Sequence, residues 1–398
     1  MSCRRRVAQD LCLPITESKV AILRSAVYAW IMDEETRYWI GFSVFPGIGP
    51  VRFKLLLDYF GTAKSAWLAS ESSLRKLHMS EKLIDEFVAF RRQFDIEAYS
   101  TKLKSKHVGV LTLRHTKYPA LLKEIPDAPF ALYVLGGKTA TPIDLRRTIG
   151  VVGTRKITAY GAEVTRRLTT QLVQNGFTIV SGLAYGVDAV AHQAAIDAGG
   201  NTIAVLGCGV DVIAPASNTN LYTAIASGHG CIVSEMPLGH RPGKGLFPAR
   251  NRIVSGLSLG ILVTEGADDS GALITARNAA EQGRDVFAVP GPITSAYSKG
   301  PARLLKQGAV LVEDIGDIMN ALGLETSQVL PNAGISQALA DLTDTERSIV
   351  QSIEREPHSI DEIARITRLT IASVGSTITI LEIRGVVKDM GDRMYCLV

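Results

Sequence analysis

The sequence lacks any long apolar run. None of its uninterrupted apolar stretches approaches the ~18–20 residues that a membrane-spanning helix needs. The basic residues Arg4, Arg5 and Arg6 resemble the start of a secretion signal, but Asp10 and Pro14 interrupt the stretch that would form its apolar core. We therefore predict a cytoplasmic protein.

Cysteine is sparse as well. The five cysteines are scattered, no two of them form a CxxC pair, and none stands near a histidine at zinc-finger spacing. This pattern is typical of free thiols in a reducing compartment. It predicts neither a disulfide framework nor a metal site.

The fingerprints of two nucleotide sites are incomplete. Gly207-Cys208-Gly209 follows a predicted strand, but Val212 stands where the dinucleotide motif GxGxxG requires its third glycine. Gly137-Lys138-Thr139 matches the end of a P-loop, but Leu132 replaces its first glycine. The sequence therefore predicts no NAD, no ATP and no other cofactor.

Acidic residues are missing from one long stretch. The chain has 39 of them, yet none lies between Met236 and Thr264. Four basic residues and one aromatic residue lie there: Arg241, Lys244, Phe247, Arg250 and Arg252. This composition suits single-stranded nucleic acid, because cations follow the phosphates while a ring stacks on a base.

Phe247 carries particular weight because aromatic residues make up only 6% of the chain. The neighbouring Gly245 and Pro248 predict that it lies on a surface loop, where it is free to stack on a base. The alternative is that Phe247 is a core residue anchored by Pro248.

Short β-branched runs alternate with helical stretches between residues 106 and 322. This alternation predicts an α/β domain with an extended Rossmann-like parallel sheet and helices on both faces. The predicted strands are Thr148–Val152, Phe177–Ser181, Thr202–Leu206, Cys231–Glu235, Leu259–Thr264, Asp285–Val289 and Ala309–Val312. Two earlier runs, Gly109–Leu113 and Phe130–Leu135, are expected to extend the sheet.

The segments on either side of this domain differ from it. Residues 1–32 show no firm pattern, and we assign them no role. Residues 33–105 read as a helical domain in which Pro46-Gly47-Ile48-Gly49-Pro50 resembles either a helix-hairpin-helix turn or a plain corner between two helices. Residues 323–340 read as a linker. Residues 341–398 read as three helices and a β-ribbon turning at Gly391-Asp392, which is the order of a winged-helix domain.

Two strand ends in the predicted sheet carry groups that suit an anion. The first strand runs into Gly153-Thr154-Arg155, where backbone amides, a hydroxyl and a guanidinium are available to a phosphate. A later strand leads to Ser270, which is placed to cap a helix beside Gly271, with Thr275 one turn further along. His192 reads as a packing or turn-bracing residue. With no triad and no catalytic pair evident, we predict that the protein is not an enzyme.

Seven segments between residues 151 and 309 together resemble the DprA/Smf family. They are VVGTR (151–155), VSGLAYGVDAVAH (180–192), TIAVLGCGVD (202–211), SEMPLG (234–239), FPARNRIVSGLS (247–258), SGALITARNAAEQGRDVFAVPG (270–291) and LLKQGA (304–309). Departures occur at Ala272, at Ala214-Pro215 and at Gly300-Pro301-Ala302, where the family often has a serine, Tyr-Pro and Gly-x-Asn. The last departure lies towards the part of the domain that the family uses for dimer and partner contacts.

The resemblance implies a recombination mediator that binds single-stranded DNA, protects incoming strands during natural transformation and loads the RecA recombinase. It implies a homodimer formed through the Rossmann-like domain. By position, the resemblance implies that Arg155 and Lys244 bind phosphate and that Phe247 stacks on a base. It implies that the remaining residues of the DNA pocket are Gly153, Thr154, Gly182, Arg250, Asn251, Arg252, Ser270, Gly271 and Thr275.

Two other functions remain open at this point. One is a nucleotide phosphoribohydrolase resembling the lysine-decarboxylase-like proteins, although SGALITARNAAE lacks the double glycine of their PGGxGT…E signature. The other is a transcription regulator that reads duplex DNA through the winged helix. Its candidate recognition helix, Thr370–Arg384, offers only Arg384 as a basic residue, which is unusual for major-groove readers.

Overall fold

A computed structural model describes residues 33–137, 145–243, 245–324, 342–353, 356–384, 386–389 and 394–397. The chain divides into two compact units, Met1–Thr326 and Ser327–Val398. The predicted extension 1–32, nearly all of the predicted linker and the turn at Gly391-Asp392 lie outside the described residues. The predicted domain boundaries therefore remain predictions.

The first unit begins with the predicted helical region. Its helices are α1 Glu34–Val44, α2 Pro50–Phe60, α3 Ala63–Leu68, α4 Glu71–Leu74, α5 Glu81–Gln93 and α6 Ile96–Ser105. Asp33 caps α1, since its carboxylate accepts a hydrogen bond from the amide of Thr36. Gly49 precedes α2, whose predicted apolar stripe buries Phe53 and Leu56. The helical prediction for this region is confirmed.

A nine-stranded sheet follows. Its strands are β1 Val108–Thr112, β2 Ala131–Gly136, β3 Thr148–Val152, β4 Thr178–Ser181, β5 Thr202–Val205, β6 Gly230–Ser234, β7 Gly260–Val263, β8 Asp285–Ala288 and β9 Val310–Leu311. They lie in the order β1-β2-β6-β5-β4-β3-β7-β8-β9. Strands β3 to β9 are mutually parallel, as predicted.

The sheet differs from the prediction at one edge. Strand β2 runs antiparallel to both of its neighbours, β1 and β6. An antiparallel strand needs no helical crossover, and the connection from β1 to β2 contains only the short helix Ala120–Lys123 (α7). Both early candidate strands therefore extend the sheet as expected, but they make it mixed.

Helices cover both faces of the parallel part. They are α8 Ala159–Gln174, α9 Val187–Asp197, α10 Thr219–Ala224, α11 Leu246–Gly256, α12 Gly271–Glu281, α13 Lys299–Lys306 and α14 Ile315–Ala321. Alternate residues of one strand belong to different cores, because successive side chains point to opposite faces. Val151 packs in the core that includes residues of α8 and α9, whereas Val152 packs in the core that includes residues of α11 and α12.

The helical region shares a core with the antiparallel edge of the sheet. Phe53 of α2 stacks on Phe130, which immediately precedes β2, with ring centroids 4.1 Å apart. Trp39 of α1 and Tyr133 of β2 are buried in the same cluster. The helices therefore pack against the sheet along the edge that carries β1 and β2.

The second unit has the predicted winged-helix order. Its elements are α15 Asp344–Ser352, β10 His358–Ser359, α16 Ile360–Thr367, α17 Ile371–Ile383, β11 Val387–Asp389 and β12 Met394–Leu397. Ser359 and Glu362 form the predicted capping box at the start of α16. Strands β11 and β12 pair antiparallel as the predicted ribbon, and the short β10 adds a third strand.

No single helix within the described ranges is long and apolar enough to cross a membrane. The helices α16 and α17 reach the required length and apolarity only when they are taken together, and they are bent by 111° at the break between them.

Candidate nucleic-acid interface

The strand order reverses at β3, which pairs with β4 on one side and with β7 on the other. Open α/β sheets bind ligands at such a switch point, in the crevice outside the carboxyl ends of the strands. Gly153-Thr154-Arg155 leaves β3 at this point. The topology therefore places the predicted phosphate-binding turn where this class of fold binds its ligands.

Within this turn, Gly153 and Thr154 have structural roles. A Cβ atom at Gly153 would lie 2.6 Å from the carbonyl oxygen of Glu265 and 2.5 Å from Val187, so only glycine fits. Thr154 is buried, and its amide donates to the carbonyl of Glu265 at 2.8 Å. Arg155, by contrast, is exposed to solvent. We expect Arg155 to be the member of the turn that reaches a ligand.

The side chain of Glu265 occupies the start of α8, where a bound phosphate would otherwise lie. The buried carboxylate of Glu265 accepts hydrogen bonds from the Thr158 amide at 3.0 Å and from the Thr158 hydroxyl at 2.6 Å. It also fills the space beside Gly161, where a Cβ atom would lie 2.0 Å from a Glu265 carboxylate oxygen. In dinucleotide-binding folds the pyrophosphate occupies the start of the corresponding helix.

The basic stretch begins helix α11. Gly245 adopts a left-handed conformation with φ 89° and is the N-cap, and Phe247 and Pro248 are the second and third residues of the helix. The expectation that Phe247 lies on a surface loop is therefore wrong. Proline is tolerated in the first turn of a helix because the amides there have no partner within the helix, so Pro248 does not exclude a helix at this position.

The Phe247 ring pairs with Arg155. The Cζ atom of Arg155 lies 5.5 Å from the ring centroid of Phe247, which is within cation–π distance. Phe247 is half-buried, and it belongs to none of the four hydrophobic clusters found among the described residues. The geometry thus favours an aromatic platform beside a cation over a core residue.

Arg250 is buried beneath the loop that follows β4, with 6% of its surface exposed. A Cβ atom at Gly182 would lie 1.5 Å from Nη1 of Arg250, so the guanidinium occupies the space that glycine leaves open. Burial lowers the pKa of Arg250, and the nearby Asp188 opposes that effect. The Nε atom of Arg250 is buried without a hydrogen-bond partner. The structure therefore packs Arg250 against Gly182 inside the domain, and contact between these two residues and DNA remains a prediction.

Arg252 is neutralised by acids from elsewhere in the chain. Its Nε lies 2.9 Å from a carboxylate oxygen of Asp127, and its Nη2 lies 2.5 Å from one of Glu235. Although residues 236–264 contain no acidic residue, acidic side chains from other segments therefore lie beside Arg252. The adjacent Asn251 donates to the carbonyl of Gly271 at 3.3 Å and so joins α11 to the start of α12.

Ser270 caps α12 as predicted, with its hydroxyl accepting from the amide of Ala272 at 3.3 Å. Gly271 is exposed, but Thr275 is buried inside the domain. Two carboxylates, Asp268 and Asp269, precede the cap and weaken the case for a second phosphate there. Contact between these α12 residues and a ligand remains a prediction.

The exposed cations at this edge of the sheet include Arg155, Lys156 and Arg241. Lys244 lies outside the described residues. The positive charge that the described part of the edge presents to solvent therefore comes from both the turn after β3 and the segment that leads into α11.

Sequence reasoning missed the residues that hold this segment in place. The Tyr99 hydroxyl of α6 accepts a hydrogen bond from the Leu238 amide at 2.9 Å. Asp211 accepts from the Gly239 amide and from Nζ of Lys106, both at 2.7 Å. Burial alone would raise the pKa of Asp211, but these hydrogen bonds lower it below its usual value. No local pattern marks such partners, because Tyr99 and Leu238 are far apart in sequence.

His192 braces the turn after β4, as predicted. Its Nε2 accepts from the Leu183 amide at 3.3 Å, and Nδ1 lies 2.6 Å from the Thr202 hydroxyl. Leu183 has a positive φ of 55°, so this hydrogen bond holds a backbone conformation that leucine rarely adopts. Burial lowers the pKa of His192 to about 3.

We expect the stability of the protein to fall as the pH is lowered from about 6.5 towards 3. In this window an unfolded histidine binds a proton while folded His192 stays neutral, which costs up to about 1.4 kcal/mol per pH unit. Urea unfolding at several pH values measures the slope. His192→Gln should reduce the slope, whereas His78→Gln, at an exposed site, should not. Equal slopes in all three proteins would contradict the assignment.

The described part of the chain contains no group of three side chains suited to a metal ion. Cys208 and Cys231 are buried free thiols, and burial raises the pKa of Cys208 to about 11 and that of Cys231 to about 12. These thiols are therefore protonated at neutral pH.

Fold and site together define a class of protein. In this class a helical region, a Rossmann-like domain and a winged helix follow one another along the chain, and the Rossmann-like domain has a basic edge with an aromatic–arginine pair at the switch point of its sheet. The family model for DNA recombination-mediator protein A matches residues 109–323, and the model for the DprA winged helix domain matches residues 335–393. The chain belongs to the DprA/Smf family.

Individual relatives agree with this assignment. Protein Smf of Synechocystis sp. is 34% identical, and the alignment covers 91% of this chain and 99% of that protein. DNA processing protein DprA of Bacillus subtilis is 40% identical over 60% of this chain and 82% of its own length. The X-ray structure of DprA from Streptococcus pneumoniae superimposes with a TM-score of 0.61 at 34% identity, covering 71% of this chain and 95% of that one.

Proposed function

We propose that this protein is a single-stranded DNA-binding recombination mediator that protects incoming DNA and loads RecA during natural transformation. The observation that carries the proposal is the pairing of exposed Arg155 with the Phe247 ring at the switch point of the sheet. A cation beside an aromatic face is the combination that single-strand binders use for phosphate and base. Membership of a DNA recombination-mediator family supports the same function.

The exposed face of the winged helix favours single strands over duplex as the main ligand. Along α17, the candidate recognition helix, the exposed residues include Ala372, Ser376, Thr379, Ile380 and Ile383. These side chains carry no charge, and Glu382, which is also exposed on this helix, is acidic. Major-groove readers instead present arginine, lysine, asparagine or glutamine. The Rossmann-like domain is therefore the better candidate for the DNA site.

A hydrolase is less well supported because the candidate acids and bases near the site, Glu265, Asp188 and His192, already make hydrogen bonds within the fold. Glu265 binds Thr158, and Asp188 accepts hydrogen bonds from the amides of Gly182 and Ala184 at 3.1 and 3.3 Å. His192 braces Leu183. We therefore propose a binding protein without catalytic activity over a nucleotide phosphoribohydrolase.

The RecA contact and the homodimer through the Rossmann-like domain are also part of the proposal. They rest on the family to which the chain belongs and on its similarity over most of its length to Protein Smf of Synechocystis sp.. The altered segment Gly300-Pro301-Ala302 lies at the start of α13, so α13 is the first place to look for differences in those contacts.

We expect salt-sensitive and largely sequence-independent binding to single strands. If about three phosphates are neutralised, log affinity should fall against log salt concentration with a slope near −2, at ~0.7 per contact. Fluorescence anisotropy with labelled oligo-dT at several salt concentrations measures this slope. A duplex of the same length is the matched comparison, and equal or tighter binding to the duplex across the range would refute the proposal.

A further inference from the structure

We propose that Tyr185 is a second base-stacking residue, which holds the base next to the one that stacks on Phe247. This inference rests on the proposed function and extends its site by one nucleotide. It assigns a DNA-binding role to a residue that the sequence motifs left without one.

Tyr185 presents an aromatic side chain to solvent at the carboxyl edge of the sheet. It lies in the turn after β4, and 50% of its surface is exposed. It belongs to none of the hydrophobic clusters of the described residues. Half of the ring is therefore accessible at the edge where this class of fold binds its ligands.

The turn that carries Tyr185 is held from several directions. Asp188 accepts hydrogen bonds from the amides of Gly182 and Ala184. The side-chain amide of Asn218 donates to the carbonyl of Leu183 at 2.9 Å and to that of Ala184 at 3.3 Å. The backbone on which Tyr185 is mounted is therefore fixed before any ligand arrives, which lowers the entropic cost of binding a base.

This turn lies directly against the turn that carries Arg155. The Val187 amide donates to the Thr154 carbonyl at 3.1 Å. A Cβ atom at the next residue after Tyr185, Gly186, would lie 2.9 Å from Cα of Arg155. Because consecutive Cα atoms are about 3.8 Å apart, the Tyr185 backbone lies close to that of Arg155.

Arg155 therefore has an aromatic residue on each of two neighbouring segments. The Phe247 ring pairs with it from α11, and the backbone of Tyr185 lies beside it in the turn after β4. Single-strand binders stack successive bases on separate aromatic side chains while cations hold the phosphates between them. The chemistry expected of Tyr185 is stacking on any base, without sequence preference and without a contribution to the salt dependence.

Tyr185→Ala should weaken oligo-dT binding by about 5- to 150-fold, which is the range expected for one stacked base. The slope of log affinity against log salt should not change, because no charge is removed. Tyr185→Phe keeps the ring and should bind like the wild type. The matched control is Tyr59→Ala, because Tyr59 is equally exposed at 52% but lies on α2.

A second probe separates stacking from a structural effect. An abasic deoxyribose-phosphate oligomer of the same length offers phosphates but no bases, so wild type and Tyr185→Ala should bind it equally. Unequal binding of the abasic probe, or unchanged oligo-dT binding by Tyr185→Ala while Phe247→Ala is weakened, would overturn the role of Tyr185 and leave the proposed function intact. Failure of the wild type to bind oligo-dT would instead overturn the proposed function itself.

Discussion

Phe247→Ala is expected to cost about 1–3 kcal/mol of oligo-dT binding while the salt slope stays unchanged, because the substitution removes stacking but no charge. The ring is half-buried at the start of α11 and lies outside the hydrophobic clusters of the described residues, so the melting temperature should fall little. Fluorescence anisotropy and a thermal melt provide the two measurements. A collapse of the melting temperature would show that the ring is core.

The matched comparison is Arg155→Ala, which should weaken binding and also flatten the salt slope by roughly 0.7, because one phosphate partner is lost. Lys244→Ala is expected to do the same. Since Arg155 lies 5.5 Å from the Phe247 ring centroid, the effects of Arg155→Ala and Phe247→Ala should not add. Strict additivity in the double variant would mean that the two side chains act independently.

Gly182→Ala is expected to destabilise the fold by about 1–3 kcal/mol, the range seen when a close-packed site is overfilled. The Gly182 backbone is outside the left-handed region, so alanine is compatible with its conformation. The new methyl group, however, would lie 1.5 Å from Nη1 of Arg250. Arg250 would have to withdraw, and the buried Asp188 would lose the charge that opposes the rise of its pKa on burial. Denaturant unfolding measures the loss.

A double-variant cycle makes this prediction specific. In an Arg250→Ala background the guanidinium is gone, so Gly182→Ala should cost no more than about 0.5 kcal/mol further. Gly49→Ala is the control for a glycine substitution as such, because a Cβ atom there would meet no neighbour within 4 Å. If Gly182→Ala costs as much with Arg250 absent as with it present, the displacement of Arg250 is not the cause.

Much of the fold could be predicted from the sequence because its signals are local. Alternating β-branched runs and helical periodicity identified the parallel strands, and the capping residues Ser270 and Ser359 marked where two helices begin. The direction of β2 could not be predicted in this way. An antiparallel strand at the edge of a parallel sheet has no local signature, since its side chains alternate in the same manner as those of its neighbours.

The site was predictable in part for the same reason. Arg155 and Phe247 stand out by residue type and position, and the structure brings them together. The partners of Arg252 did not stand out, because Asp127 and Glu235 reach it from segments outside the acid-free stretch. The surface-loop expectation for Phe247 failed because Gly-x-x-Pro suits the first turn of a helix as well as it suits a loop.

The carboxylate of Glu265 acts as an internal ligand at the start of α8. It is held beside the amide and hydroxyl of Thr158 by the fold itself, so no ligand has to be recruited to that position. A free mononucleotide would have to displace it before using the start of α8. We therefore expect the start of α8 to be closed to free nucleotides, so that a phosphate reaches this turn only through Arg155.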